Sequence, residues 1–256
     1  MINRKVIVVI DDLDRLNPIE IFALFKLIRN TGHFKSLTFI AAYDRNYINE
    51  CVAKEIPEKL ASNFSDKIFQ LEIDLPGLPS DFLVEYLMSL VKDKKVLNER
   101  QTEHLINGLN YQGVILSSLG MSRYDSIIEN NLTNMRDVKR LVNSFLFSIS
   151  PIIEDIDIVD FFYLRLLKQK FPEAYYSLKK KQYLESDKDN LAYYKINSES
   201  INGFDPRLIE LLKKLFPDGQ DQPKYNSIQV KKKFPIYFSD RVFDGISFKE
   251  LNIALE

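Results

Sequence analysis

VIVVIDDLDRL, residues 6–16, runs an unbroken apolar stretch straight into three carboxylates and an arginine. Val6–Ile10 is β-branched throughout, with no polar residue on alternate positions. That is the pattern of a short strand covered by helices on both faces, as in a parallel sheet. The C-terminal edge of such a sheet faces the ligand crevice of an α/β fold, so Asp11 and Asp12 stand where a ligand would bind. The plainer alternative is that an Asp pair after a strand caps the next turn.

Reading outward, the next segment carries strong helix-start signals. Asn17 can cap, Pro18 suits the first helical position, and Glu20 completes a capping box. Ile21, Phe22, Leu24, Phe25 and Ile28 then form an apolar face that ends near Gly32. Leu37–Ala42 (LTFIAA) reads as a second buried strand, ending in Asp44-Arg45, so strand, helix and strand form a right-handed crossover unit. A helix is expected over about 47–60 and a third strand over Lys67–Ile73 (KIFQLEI), closed by the Pro/Gly cluster at 75–79. Beyond it the periodicity is helical over 81–91, 99–109, 114–121, 134–147 and 156–171. A polar stretch from 179 to 202, expected to be less ordered, is followed by one more helix over 206–216 and an aromatic-rich tail.

Composition excludes several classes of function. Lys+Arg (35) and Asp+Glu (36) nearly cancel over 256 residues, so there is no global charge to attract nucleic acid or an anionic membrane. One cysteine, Cys51, rules out an internal disulfide framework and reads as a small packing residue. Two distant histidines, His33 and His104, with that one thiol make a zinc site improbable. No stretch approaches the roughly 20 apolar residues of a spanning helix and no signal peptide is visible, so the chain reads as cytoplasmic, in a reducing compartment.

Four segments, in order, resemble the KAP family of P-loop NTPases. VIVVIDDLDRL is similar to the family's extended Walker B signature, an apolar strand followed by D-D-L-D-R. LTFIAAYDRNYI (37–48) resembles its sensor-1 strand, DKIFQLEIDLPGLP (66–79) its last core strand and loop, and TNMRDVKRLVNSF (133–145) a later helix in which Met135 replaces the usual proline. YFSDRVF (237–243) is similar to a stretch of bacterial YobI-like members. The resemblance implies ATP and Mg²⁺ as cofactors of the complete protein, with hydrolysis driving a conformational switch. It implies Asp11 as the metal carboxylate, Asp12 as the group facing the attacking water, Asp44 as a polar group near the γ-phosphate and Arg136 as a second cation. Asp14 and Arg15 are expected to organise the loop or a neighbouring subunit's site.

The implied fold class is α/β, an incomplete P-loop NTPase (ASCE-type) parallel sheet of about three strands, followed by a mainly helical region. Residues 1–78 would be the C-terminal half of the core, 79–150 a helical lid-like region and 151–256 a helical extension. The phosphate-cradling G-x-x-x-x-G-K-[ST] does not occur in the sequence. In the family it precedes Walker B, so the expectation is a chain that is inactive alone and binds no nucleotide tightly. Its partners would be the missing Walker A segment, or a second copy through an open sheet edge. The alternative is a non-catalytic protein–protein interaction module derived from such an NTPase. Ser117-Ser118 lacks a His/Asp partner pattern. The lysine runs 179–181 and 231–233 read as solvated faces, without a strong nucleic-acid signal.

Overall fold

The computed structural model describes residues 5–55, 67–109, 126–187, 191–217 and 223–239. It divides into two units, Met1–Pro76 and Gly77–Glu256, each taken by itself below.

In the first unit β1 (Val6–Ile10) pairs in parallel with β2 (Leu37–Ala41), in a register that sets Val6 against Leu37 and Ile10 against Ala41. Parallel pairing requires a crossover, and α1 (Pro18–Thr31) supplies it. Asn17 Oδ1 accepts from the Glu20 amide at 3.0 Å, and Glu20 Oε2 accepts from the Asn17 amide at 2.9 Å, closing the capping box. Ile21, Phe25 and Ile28 then fall on one face at helical spacing and are buried. With Ile48, Cys51 and Val52 of α2 (Arg45–Glu55) they cover one face of the sheet, where Ile10, Phe39 and Ala41 pack against them.

The other face is bare among the described residues. Ile7, Val9 and Ile40 are 61%, 70% and 53% exposed, although their chemistry is that of a covered strand. The expectation of three strands is corrected to two. Residues 67–75 form no strand among the described residues, because β2 does not meet them with its hydrogen-bonding edge. They are held instead by side chains: the Phe69 ring lies 5.7 Å from Phe25 and 5.3 Å from Tyr43, centroid to centroid, and Tyr43 Oη donates to Glu72 at 3.1 Å. Between β2 and this segment lies a cavity of about 430 Å³, bounded by Leu37, Thr38 and Phe39 on one side and Lys67, Ile68 and Phe69 on the other.

The second unit is helical around one hydrophobic cluster that includes residues from Leu83 to Phe238. Its helices are α3 (Ser80–Asp93), α4 (Glu99–Leu109), α5 (Ser126–Asn131), α6 (Met135–Ile149), α7 (Ile158–Lys170), α8 (Pro172–Lys179), α9 (Pro206–Leu215) and a single turn, α10 (Phe234–Tyr237). Helix α7 is central, with Phe161, Phe162 and Leu164 among its fully buried residues, and Phe145 of α6 meets Phe162 edge to face at 5.5 Å. The polar stretch expected to be less ordered contains an antiparallel pair, β3 (Leu184–Ser186) with β4 (Tyr194–Ile196). The helix expected over 114–121 lies outside the described residues. Among them, no helix is long and apolar enough to cross a membrane.

Candidate functional site

Because β1 and β2 are parallel neighbours in register, their C-terminal ends coincide, and Asp11, Asp12 and Asp44 all follow at that end of the sheet. The Ala42 amide donates to the Ile10 carbonyl at 2.9 Å, so the pairing continues to the last residue before the first carboxylate. All three aspartates are exposed.

The loop after β1 is shaped by its own polar groups. Asp11 Oδ1 accepts from the Asp12 amide at 2.8 Å. Asp12 sits in the left-handed region, φ 56° and ψ 35°, and starts the 3₁₀ turn Leu13–Arg15. Such a backbone costs a residue with a Cβ about 1–2 kcal/mol, and aspartate is among the side chains that tolerate it best. The turn buries Leu13 completely and returns Arg15 to Asp12, Nη2 to Oδ1 at 3.1 Å. Tyr47 Oη donates to the Leu16 carbonyl at 2.8 Å, tying the end of this loop to α2.

Asp44 has a structural task. Its Oδ1 accepts from the amides of Asn46 at 2.8 Å and Tyr47 at 3.2 Å, which caps α2. Arg45 turns to Glu72 at 3.5 Å. Arg136 belongs to the second unit, exposed in the first turn of α6. That turn is fixed by Asn134, whose Oδ1 accepts from the Asp137 amide at 2.8 Å, and by Lys170, whose Nζ stands 2.6 Å from Asp137 Oδ2. Burial alone would raise the Asp137 pKa, but the hydrogen bonds from Lys170 and Thr133 outweigh it and hold the carboxyl below its ordinary value.

A scan against family models matches residues 1–149 to the KAP family P-loop domain. The match covers more than half of the chain. This chain belongs to the KAP family. Among curated proteins, it is similar to the phage T7 exclusion protein of Escherichia coli strain K12, 27% identical over 176 residues. That alignment takes in 67% of this chain and 22% of the relative, so the chain spans about a fifth of the relative's length. No solved structure matches.

The donor set at the strand ends suits a hard cation only in part. No group of three or more His, Cys, Asp or Glu side chains is arranged to hold a metal among the described residues. Mg²⁺ does not require such a cage: it keeps several waters and takes one or two carboxylates besides the oxygens of a bound phosphate. Exposed Asp11, with oxygen donors and water access, fits that partial role. The contact of Arg15 with Asp12 is not visible in the sequence, since it depends on the left-handed turn at Asp12.

Proposed function

We propose that this chain carries the Walker B side of an ATP-hydrolysing KAP P-loop domain. It would work when a strand and phosphate-cradling loop from outside the described residues complete the sheet. The observation that carries the reading is the set of three carboxylates at the shared C-terminal ends of β1 and β2. In this reading Asp11 holds Mg²⁺, which neutralises charge on the phosphates when bound. Asp12, oriented by Arg15, faces the attacking water, Asp44 accepts a hydrogen bond near the γ-phosphate, and Arg136 contributes positive charge.

The bare apolar face and the cavity beside β2 support the need for completion. A parallel sheet is ordinarily covered on both faces, and a strand of roughly five residues placed against β2 would pair its open edge. An open edge also supports the second reading, in which the chain docks on another protein or a second copy without catalysis.

Calorimetric titration with ATP and Mg²⁺ tests the reading. The expected result is no measurable binding by this chain alone and binding by the complete protein. In the complete protein Asp12→Asn should keep nucleotide binding and lower turnover by about 10²–10⁴-fold. Undiminished turnover in that variant would remove Asp12 from the role of base, whereas no nucleotide binding by the complete protein would leave the docking module as the better account. The relative's name points to bacteriophage exclusion as the phenotype in which to compare the wild type with Asp12→Asn, by plaque counts.

A further inference from the structure

The lysine runs 179–181 and 231–233 lie about fifty residues apart in sequence and meet in the structure. Lys181 Nζ stands 5.5 Å from the centroid of the Tyr194 ring, and Lys231 Nζ stands 5.3 Å from the same ring. Lys179 Nζ comes within 3.5 Å of the Phe238 carbonyl, on the same segment as the second run. The backbone produces this meeting. Tyr194 donates its amide to the Gln229 carbonyl at 2.8 Å and Lys231 donates to the Ala192 carbonyl at 3.0 Å, which lays residues 229–231 along β4.

Two features show that the cations are gathered rather than scattered. Lys181 ends the turn after α8 in the left-handed region, φ 63°, with its amide on the Leu178 carbonyl at 2.8 Å. Glycine or asparagine is the ordinary residue at such a helix end, so the backbone does not call for lysine there. In addition, Lys233 pairs with Asp155 and Lys195 with Asp187, whereas Lys179, Lys180, Lys181, Lys231 and Lys232 have no carboxylate in ion-pair range among the described residues. In a chain of net charge −1, Lys181 and Lys231 over one ring, with the other three lysines next to them in sequence, make a local positive field. Cation–π contacts at exposed sites return only about 0.5–1 kcal/mol each, so the mutual repulsion favours an anion with several spaced charges.

We propose that this face binds the phosphodiester backbone of a nucleic acid. The two lysine rows flank Tyr194 and the Ser186 hydroxyl, which accepts from Lys231 Nζ at 2.7 Å. Exposed Tyr225, with Lys233 Nζ 5.0 Å from its ring centroid, adds a surface on which a base can stack. A lipid surface fits less well. Helix α8 buries Ala174, Tyr175 and Leu178 in the core and exposes Tyr176 as a single large ring, which is not an apolar face to insert between headgroups.

The test is fluorescence anisotropy of labelled single-stranded and duplex oligonucleotides with the full chain across a salt series. Polyglutamate and anionic phospholipid vesicles serve as competitors. Lys180 and Lys232 are exposed and their side chains make no hydrogen bond or ion pair among the described residues, so the Lys180→Glu, Lys232→Glu double variant should fold normally, checked by circular dichroism. Binding to either oligonucleotide is expected. The double variant should lose about tenfold or more in affinity, and its log–log salt slope should be shallower by about two. Absence of binding at low salt, unchanged affinity in the variant, or equal competition by polyglutamate or vesicles would each overturn the proposal. It stands apart from the ATPase reading, since none of these outcomes depends on nucleotide.

Discussion

Arg15 Nη2 lies 3.1 Å from Asp12 Oδ1, across a 3₁₀ turn that begins with Asp12 in a left-handed conformation. Both side chains are exposed, so the pair contributes little to stability, about 0–1 kcal/mol. Its consequence is orientation, because it fixes one oxygen of the carboxylate placed next to the end of β1. If the proposed ATPase reading holds, Arg15→Ala in the complete protein is expected to leave the melting temperature nearly unchanged while lowering ATP turnover roughly tenfold. Arg15→Lys should recover part of that loss. Steady-state hydrolysis beside thermal melting separates the two effects, and full activity in Arg15→Ala would show that the pair does not position Asp12.

Gly108 in α4 permits close approach to α7. A Cβ at position 108 would collide with Val159 Cγ2 and stand 2.9 Å from its Cγ1 and 3.2 Å from its Cβ. Gly108→Ala gains up to about 1 kcal/mol of helix propensity but overpacks a buried, χ1-restricted valine at about 1–3 kcal/mol. A net loss of stability is expected in urea unfolding. Val159→Ala in the Gly108→Ala background should restore part of it, and additive losses would place the cause elsewhere.

The parts of this structure that were legible in the sequence are those fixed by near neighbours. The Asn17–Glu20 capping box and the apolar face of α1 depend on residues within three or four positions; the box forms as read, and of the five residues of the face Ile21, Phe25 and Ile28 are buried while Phe22 and Leu24 are half-buried. KIFQLEI alternates like a strand, but alternation cannot supply a hydrogen-bonding neighbour, and none meets it among the described residues. The β3–β4 hairpin has three-residue strands, too short to show a period in polar sequence. At the candidate site, the placement of Asp11, Asp12 and Asp44 at the strand ends was readable because each lies within three residues of an apolar strand run. The pairing of Asp12 with Arg15 and the meeting of the two lysine runs were hidden, one behind a single φ angle and the other behind long-range packing.

The ion pair between Asp137 and Lys170 joins the first turn of α6, which carries Arg136, to the last turn of α7. Both partners are partly buried, and Gln169 Nε2 adds a hydrogen bond to the Asp137 carbonyl at 3.0 Å. In Lys170→Met the carboxylate keeps its bond from Thr133 Oγ1 at 2.9 Å, so the expected loss is about 1–2 kcal/mol rather than that of an isolated buried charge. The sign with pH follows from the lowered pKa of Asp137. Its contribution is present above the ordinary carboxyl value and is lost as pH falls through the folded value. The wild-type advantage over Lys170→Met, measured by urea unfolding, should therefore shrink in acid; an advantage independent of pH would mean that packing of the lysine stem sets the difference.

Asp157, the N-cap of α7, and Asp160, in its first turn, set up opposite pH dependences against the same segment, residues 223–239. Asp157 is buried and caps the helix, accepting from the Val159 amide at 2.9 Å, while its Oδ2 meets Lys224 at 3.0 Å and His104 at 3.3 Å. Burial would raise its pKa, but the hydrogen bond and charge of Lys224, the Asp160 amide and His104 together hold it below the ordinary value. Asp160 accepts from Ser227 Oγ at 2.9 Å and the Ile228 amide at 3.0 Å. Burial, then the charge of Asp157, push its pKa up to about 6. A raised folded value means that Asp160 contributes stability fully below its unfolded value and loses it as pH rises through about 6, whereas the contribution of Asp157 fades as pH falls through its own lowered value. The second unit should thus be most stable in mildly acidic solution and melt several degrees lower above neutrality. Asp160→Asn keeps a neutral acceptor for Ser227 and Ile228. It is expected to raise the melting temperature at alkaline pH and to flatten the dependence between pH 5 and 8. An unchanged slope in that variant, followed by differential scanning calorimetry, would show that Asp160 does not set the dependence.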